Sequence, residues 1–245
     1  MPFSSGSVDA AEIERFERLG EKWWDPDGPM RPLHKLNPAR VDWIADTLAL
    51  SLPGVAQNGL KGLKILDIGC GAGLLCEALS RLGASVTAID PSIANIEIAR
   101  NHAAKSGLEI QYQAVTAEAV AADGARFDVV CALEVVEHVV DPATFIATAC
   151  ELVRPGGLLF AATLNRTLKS FGLAILGAEY ILRWVPEGTH QWEKFVTPDE
   201  LEAAIENSGA HVTRRTGVVY TPFVDRWRLS NDMSVNYMMA AVRED

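Results

Sequence analysis

The sequence predicts an α/β fold: a doubly wound, mainly parallel sheet of seven strands, with helices on both faces. Three observations carry this. From residue 64 onward, short apolar runs alternate with helical patterns, the order expected of a parallel sheet. The first run, Lys64 to Ile68, ends in Gly69, Gly71 and Gly73 and passes straight into a helical pattern (Leu74, Leu75, Ala78, Leu79). The second, Ser85 to Ile89, ends on the acid Asp90. In such sheets ligands lie beyond the carboxyl ends of the strands, where these marked residues fall.

The elements follow in order. Residues 1–58 read as a helical extension. After a polar lead, Asp9 can cap a helix running to about Trp24, with Ile13, Phe16 and Leu19 along one face. A breaker-rich stretch from Asp25 to Pro32 follows, and a second helix is expected from Pro38 to Leu50, its first turn set by the proline. Pro53-Gly54 and Asn58-Gly59 lead into the sheet. Strands are expected at 64–68, 85–89, 109–113, 127–132 and 157–163, and helices at 73–82, 92–105, 117–121 and 142–153. Arg154-Pro155-Gly156-Gly157 reads as a tight turn into the fifth strand. An apolar insertion occupies 164–192. Thr197-Pro198-Asp199-Glu200 opens a last helix, and His211–Tyr220 and Tyr237–Val242 read as a closing antiparallel pair. The 245 residues suit one domain with a sizeable core.

Composition narrows the function. The chain is 49% hydrophobic and 22% charged, ordinary for a globular protein, and its net charge of −10 argues against a nucleic-acid partner. Cys70, Cys76, Cys131 and Cys150 show neither metal nor disulfide spacing and read as buried, reduced thiols. With no leader pattern and no apolar run long enough to span a bilayer, a cytoplasmic protein is expected.

The glycine loop points to a nucleotide-like ligand. A strand that ends in glycines and turns into a helix presents free backbone N–H groups and allows close approach. Asp90 stands at about the spacing of a ribose-reading acid. The loop departs from the dinucleotide pattern G-x-G-x-x-G, because Leu74 occupies the third glycine's place and Asp67 precedes the loop. A nicotinamide-dependent oxidoreductase is therefore disfavoured. D-x-G-x-G-x-G resembles the first motif of Rossmann-like class I S-adenosylmethionine (SAM) methyltransferases, which implies that Asp67, Gly69, Gly71, Gly73 and Asp90 hold SAM.

After the fourth strand come Glu134, Glu137 and His138. On a helical turn these positions share one face. Two carboxylates and an imidazole can ligate a divalent cation, with magnesium favoured by the oxygens and manganese, iron or zinc by the imidazole. Methyl transfer to a phenol would gain from such a cation, since the attacking oxygen must lose its proton. Alternatively His138 is a general base with the glutamates around it, or the cluster is a solvated face. His190, in Glu187-Gly188-Thr189-His190-Gln191-Trp192, is a further base or ligand within chain reach.

Phe171 to Val185 is apolar nearly all round, and between 166 and 183 it is accompanied by Arg166, Lys169 and Arg183 against one acid, Glu179. An apolar helix with basic ends suits peripheral attachment to a membrane or a lid over a greasy substrate; a buried core helix or a dimer interface fits equally well.

Taken together, LDIGCGAG, VTAID, ALEVVEHV, LVRPGG, TLNR, GAEYIL and VPEGTH, with WWD, PLHKLNPAR and the terminal VNYM, resemble the ubiquinone-biosynthesis O-methyltransferase family from about Asp9 to the C-terminus. The resemblance implies SAM-dependent methylation of polyprenylated catechols and phenols, 2-polyprenyl-6-hydroxyphenol and 3-demethylubiquinol. It implies SAM contacts at Arg40, Gly69, Asp90 and Leu133, and metal ligands at Glu134, Glu137 and His138. Peripheral contact of a cytoplasmic protein with the inner face of the membrane would come from Phe171–Val185, and other enzymes of ubiquinone synthesis are expected partners.

Overall fold

The computed structural model describes residues 10–171 and 192–244. The first helix, α1 (Ala10–Glu17), is shorter than the sequence pattern suggests: Gly20 takes a left-handed conformation, and the chain continues as a 3-10 turn over Gly20–Trp24. Helix α2 (Arg31–Ser51) begins a turn and more before Pro38. Pro32 occupies its first turn, and Pro38 sits inside it, forgoing the bond its missing N–H would give to the carbonyl of His34. A short helix α3 (Val55–Asn58) then leads into the sheet.

The central elements alternate as expected: β1 (Lys64–Ile68), α4 (Leu74–Arg81), β2 (Ser85–Ile89), α5 (Ile93–Lys105), β3 (Gln111–Gln113), α6 (Ala117–Ala122), β4 (Phe127–Leu133), α7 (Pro142–Leu152) and β5 (Val153–Leu164). After the short α8 (Leu168–Ser170) and α9 (Pro198–Glu206) come β6 (Ala210–Thr221), β7 (Arg226–Ser230) and β8 (Asn236–Arg243). The eight strands lie in the order β3-β2-β1-β4-β5-β8-β6-β7. The first five are parallel, and β8, β6 and β7 pair antiparallel beyond them.

Two details differ from the sequence reading. The eighth strand, β7, has no counterpart in the sequence pattern: it is an edge strand with Arg226 and Arg228 exposed, and such charged edges lack the apolar run that marks a strand. The Arg154–Gly157 stretch belongs to β5 as an irregular entry, where the register against β4 shifts. Gly157 is needed there, since a Cβ would lie 2.7 Å from the carbonyl oxygen of Asp128.

Side-chain alternation explains why both faces are covered. Ile65, Val129, Cys131, Leu158 and Phe160 point to one face, where they pack with Trp43, Ile44 and Leu48 of α2 and Leu79 of α4. Leu66, Val130, Ala132, Leu159 and Ala161 point to the other, against Phe145 and Ile146 of α7 and Leu201 of α9. All four cysteines are free and buried. Among the described residues, no helix is long and apolar enough to cross a membrane.

Candidate active site

The parallel pairing of β1 with β4 places the glycine loop beside the chain that leaves β4. A cavity of about 780 Å³ lies over these strand ends. It is within the size range of small-molecule sites. Its walls include Asp67, Gly69, Gly71, Asp90, Arg40 and Leu133, together with Glu134, Glu137 and His138. Gly73 is the N-cap of α4 and lies outside these walls. The structure thus gathers nearly every described residue singled out from the sequence into one space. His190 and residues 172–185 of the apolar segment lie outside the described residues.

The glycine loop is held by its own amides. The N–H of Gly69 donates to the carbonyl of Ile89 at 2.8 Å, and the N–H of Gly71 donates to Asp90 Oδ2 at 2.9 Å. Asp90 Oδ1 also accepts the N–H of Ser92 at 2.9 Å. Both carboxylate oxygens therefore have fixed partners and a fixed orientation. Burial raises the Asp90 carboxyl above its ordinary value, while these amides oppose that rise. Gly71 has φ of 53°, and a Cβ there would lie 2.7 Å from the indole of Trp23. Asp67 is buried beside the loop, accepts from Cys76 Sγ at 3.0 Å, and is pushed up to about 7, chiefly by burial.

The acidic cluster is built differently from a single helical face. Glu134 follows β4 in a left-handed conformation with φ of 56°, and only Val136–His138 form a helical turn, of the 3-10 kind. That conformation costs a non-glycine residue of order 1–2 kcal/mol, and its compensation here is an ion pair: Arg40 donates to Glu134 Oε1 at 2.5 Å. Arg40 is itself buried in α2. Glu137 is buried and accepts from Thr163 Oγ1 of β5 at 2.8 Å. Burial first, and then the neighbouring charge of Glu134, push it up to about 7. His138 holds its Nδ1 3.1 Å from Glu12 Oε2 of α1, and the ring of Phe16 meets it edge-on at 5.2 Å. Glu12 and its neighbours raise the imidazole's pKa against the opposing effect of burial.

The donor set suits a divalent cation in chemistry: carboxylates of Glu134 and Glu137 close enough to repel, with an imidazole beside them. Among the described residues no three such donors converge on one point as they stand. The hydroxyl of Thr163 and the carboxylate of Glu12 are outer contacts of the kind that orient ligands. Arg40, by contrast, occupies Glu134 and would have to yield it.

Among the described residues, Glu12, Thr163 and Trp23 make contacts at the site and lie outside the sequence reading of it. Thr163 carries a signal, an inward-facing polar residue in an apolar strand. Glu12 and Trp23 carry none, because which face of the N-terminal helices meets the cavity depends on tertiary docking.

Comparison with known proteins agrees with this architecture. Residues 39–214 match the family model described as a methyltransferase domain. The chain is 55% identical over 96% of its length, and 94% of the relative's, to the ubiquinone biosynthesis O-methyltransferase of Chelativorans sp. (strain BNC1). It is 54% identical to that of Methylobacterium nodulans, over 97% of this chain and 96% of the relative. Among solved structures, it resembles magnesium protoporphyrin IX methyltransferase from Synechocystis PCC 6803 with bound SAH, with a TM-score of 0.66 at 20% identity over 96% of this chain and 95% of that one. It also resembles the plantazolicin methyltransferase BpumL in complex with SAH, with a TM-score of 0.64 at 15% identity, covering 96% and 98%.

Proposed function

The chain belongs to the ubiquinone biosynthesis O-methyltransferase family of SAM-dependent methyltransferases, and we propose that it methylates ring hydroxyls of polyprenylated catechols, 2-polyprenyl-6-hydroxyphenol and 3-demethylubiquinol. The observation that carries this reading is one continuous cavity. It joins the glycine loop and Asp90 to Glu134, Glu137 and His138, and continues along apolar walls that include Met30, Leu33, Val218 and Trp227. The first part suits SAM, the second an acidic hydroxyl and the third an isoprenoid tail.

The chain's own residues do the following. Asp90, its orientation fixed by two amides, accepts the ribose hydroxyls. Arg40 binds the SAM carboxylate, so SAM binding and release of Glu134 are linked. Glu134, Glu137 and His138 would hold a divalent cation, magnesium by their oxygen content. Bound there, it would lower the pKa of the acceptor hydroxyl. Thr163 keeps the Glu137 carboxylate aimed, and the buried walls exclude water from the reacting oxygen. Holding that oxygen in line with the sulfonium methyl supplies much of the rate. Segment Phe171–Val185, on its sequence alone, is assigned to the isoprenoid tail and to peripheral contact with a membrane.

A second reading keeps the methyl transfer and makes His138 the base that removes the hydroxyl proton. The Glu12–His138 pair favours it, since a carboxylate on one ring nitrogen is how a basic imidazole is held.

The test is methyl transfer from labelled SAM to a short-chain prenyl catechol, with and without a chelator. Turnover lost to the chelator and restored by magnesium or manganese supports the cation reading. Turnover indifferent to it returns the chemistry to His138 as base. Tight SAM binding with no transfer to any prenylated catechol overturns the substrate assignment.

A further inference from the structure

Helix α1 brings an acid into the site that the glycine loop and the acidic cluster do not supply. Glu12 is buried to 6% exposure, while Glu14 on the same helix has a side chain 70% exposed. A carboxylate leaves water only where partners compensate it. Glu12 has three in range: Arg15 at 3.1 Å, Lys194 at 4.0 Å and His138 at 3.1 Å. Arg15, on the same helix, and Lys194 already supply Glu12 with positive charge. The contact with His138 is a third one, and it falls at the acidic cluster.

The helix is also placed so that this contact is reproducible. At its far end the hydroxyl of Ser92, on the loop after Asp90, donates to Glu17 Oε1 at 2.8 Å. Between these two ends Phe16 packs edge-on against the His138 ring. Trp24, just beyond, donates its indole N–H to the carbonyl of Ala72 in the glycine loop at 3.0 Å. One short segment thus touches the ribose-reading loop, the glycine loop and the imidazole together.

We propose that Glu12 is a positioning residue for His138, its carboxylate accepting a hydrogen bond from Nδ1–H so that Nε2 is left as the ring nitrogen available to the acceptor hydroxyl or to a cation. A carboxylate bonded to one ring nitrogen selects the tautomer and fixes the ring plane. The inference rests on the reading that His138 works at the acceptor hydroxyl, and it holds whether that work is ligation or proton removal. It makes the N-terminal helix part of the reaction's machinery: the segment that covers the site also completes it.

The test compares Glu12→Ala and Glu12→Gln with the parent. In Glu12→Ala, kcat for methylation of the prenyl catechol falls about 10- to 100-fold, the range of lost orienting contacts. The KM for SAM and its calorimetric Kd stay within about threefold of the parent. Glu12→Gln, whose amide oxygen still accepts from Nδ1–H, recovers most of the rate. The ¹⁵N spectrum of the histidine rings, assigned against His138→Asn, shows one tautomer of His138 in the parent and a mixture in Glu12→Ala. Rate and SAM affinity falling together would overturn the proposal, since α1 would then merely cover the SAM site. So would an unchanged rate with an unchanged His138 spectrum. If the parent methylates no catechol at all, the substrate reading fails, and the spectra of parent and Glu12→Ala still decide whether Glu12 sets the tautomer.

Discussion

Replacing Gly71 by alanine measures how closely the N-terminal segment sits on the glycine loop. Two separable costs arise. Gly71 has φ of 53°, so any side chain there incurs the left-handed backbone cost, about 1–2 kcal/mol. Its Cβ would also stand 2.7 Å from Trp23 Cη2, and Trp23 is buried among Met30 and Ala72 with little room to retreat. Overpacking of this kind costs about 1–3 kcal/mol. The sum is roughly 2–5 kcal/mol, which for a chain of this size lowers Tm by roughly 4–20 °C. Gly107→Ala is the control, because Gly107 has φ of 68° and an added Cβ would meet nothing within 4 Å; it incurs the backbone cost alone, about 1–2 kcal/mol. The assay is reversible thermal or urea unfolding of both variants, repeated in a Trp23→Leu background. There the extra cost at Gly71 should shrink by about 1–3 kcal/mol as a coupling energy. Equal destabilisation by Gly71→Ala and Gly107→Ala, unchanged by Trp23→Leu, would refute the close approach of Trp23 to the loop.

Three further perturbations probe the site. Asp90→Ala removes the acceptor of both the Gly71 and Ser92 amides as well as the ribose contact proposed above, and SAM affinity measured by calorimetry should fall about 10- to 150-fold, as for lost charged hydrogen bonds; a change below threefold would contradict its role. Thr163→Val deletes the hydroxyl that donates to Glu137 and raises that carboxyl further, so kcat near neutral pH should drop about 5- to 100-fold with SAM binding unaltered; steady-state kinetics beside calorimetry check the split. Asp67→Asn tests burial by pH. The folded-state pKa, pushed up to about 7, exceeds the ordinary carboxyl value, so the stability of protonated Asp67 is complete below about pH 4 and lost as pH rises through about 7. The Tm of the parent relative to Asp67→Asn should therefore fall across that window, and a constant difference would remove the argument.

Much of this is legible in the chain. The alternating order of β1 through β5 follows from apolar runs that must be buried on both faces, and Asp90 and the glycines fall at strand ends by position alone. The acidic cluster is legible as chemistry and not as geometry. The spacing of Glu134, Glu137 and His138 predicts one helical face, yet Glu134 takes a left-handed backbone stabilised by Arg40, a partner 94 residues away in sequence. No local pattern encodes such a partner. The same holds for Glu12 and Trp23, whose side chains acquire a role only when the N-terminal segment docks. Strand β7 escapes a sequence reading because it is a five-residue edge strand whose arginines leave only Trp227 and Leu229 as an apolar signal. The start of α2 escapes it because Pro32 and Pro38 offer two first turns, and the structure uses the earlier one.

Oxygen methylation is decided by a single-turnover reaction of the parent enzyme with SAM labelled in its methyl group and a short-chain prenyl catechol, with the product resolved by mass spectrometry. One labelled methyl on a ring oxygen, with an equal amount of S-adenosylhomocysteine, is the expected outcome. SAM bound in the cavity with no label on oxygen, or label appearing on ring carbon, would contradict it.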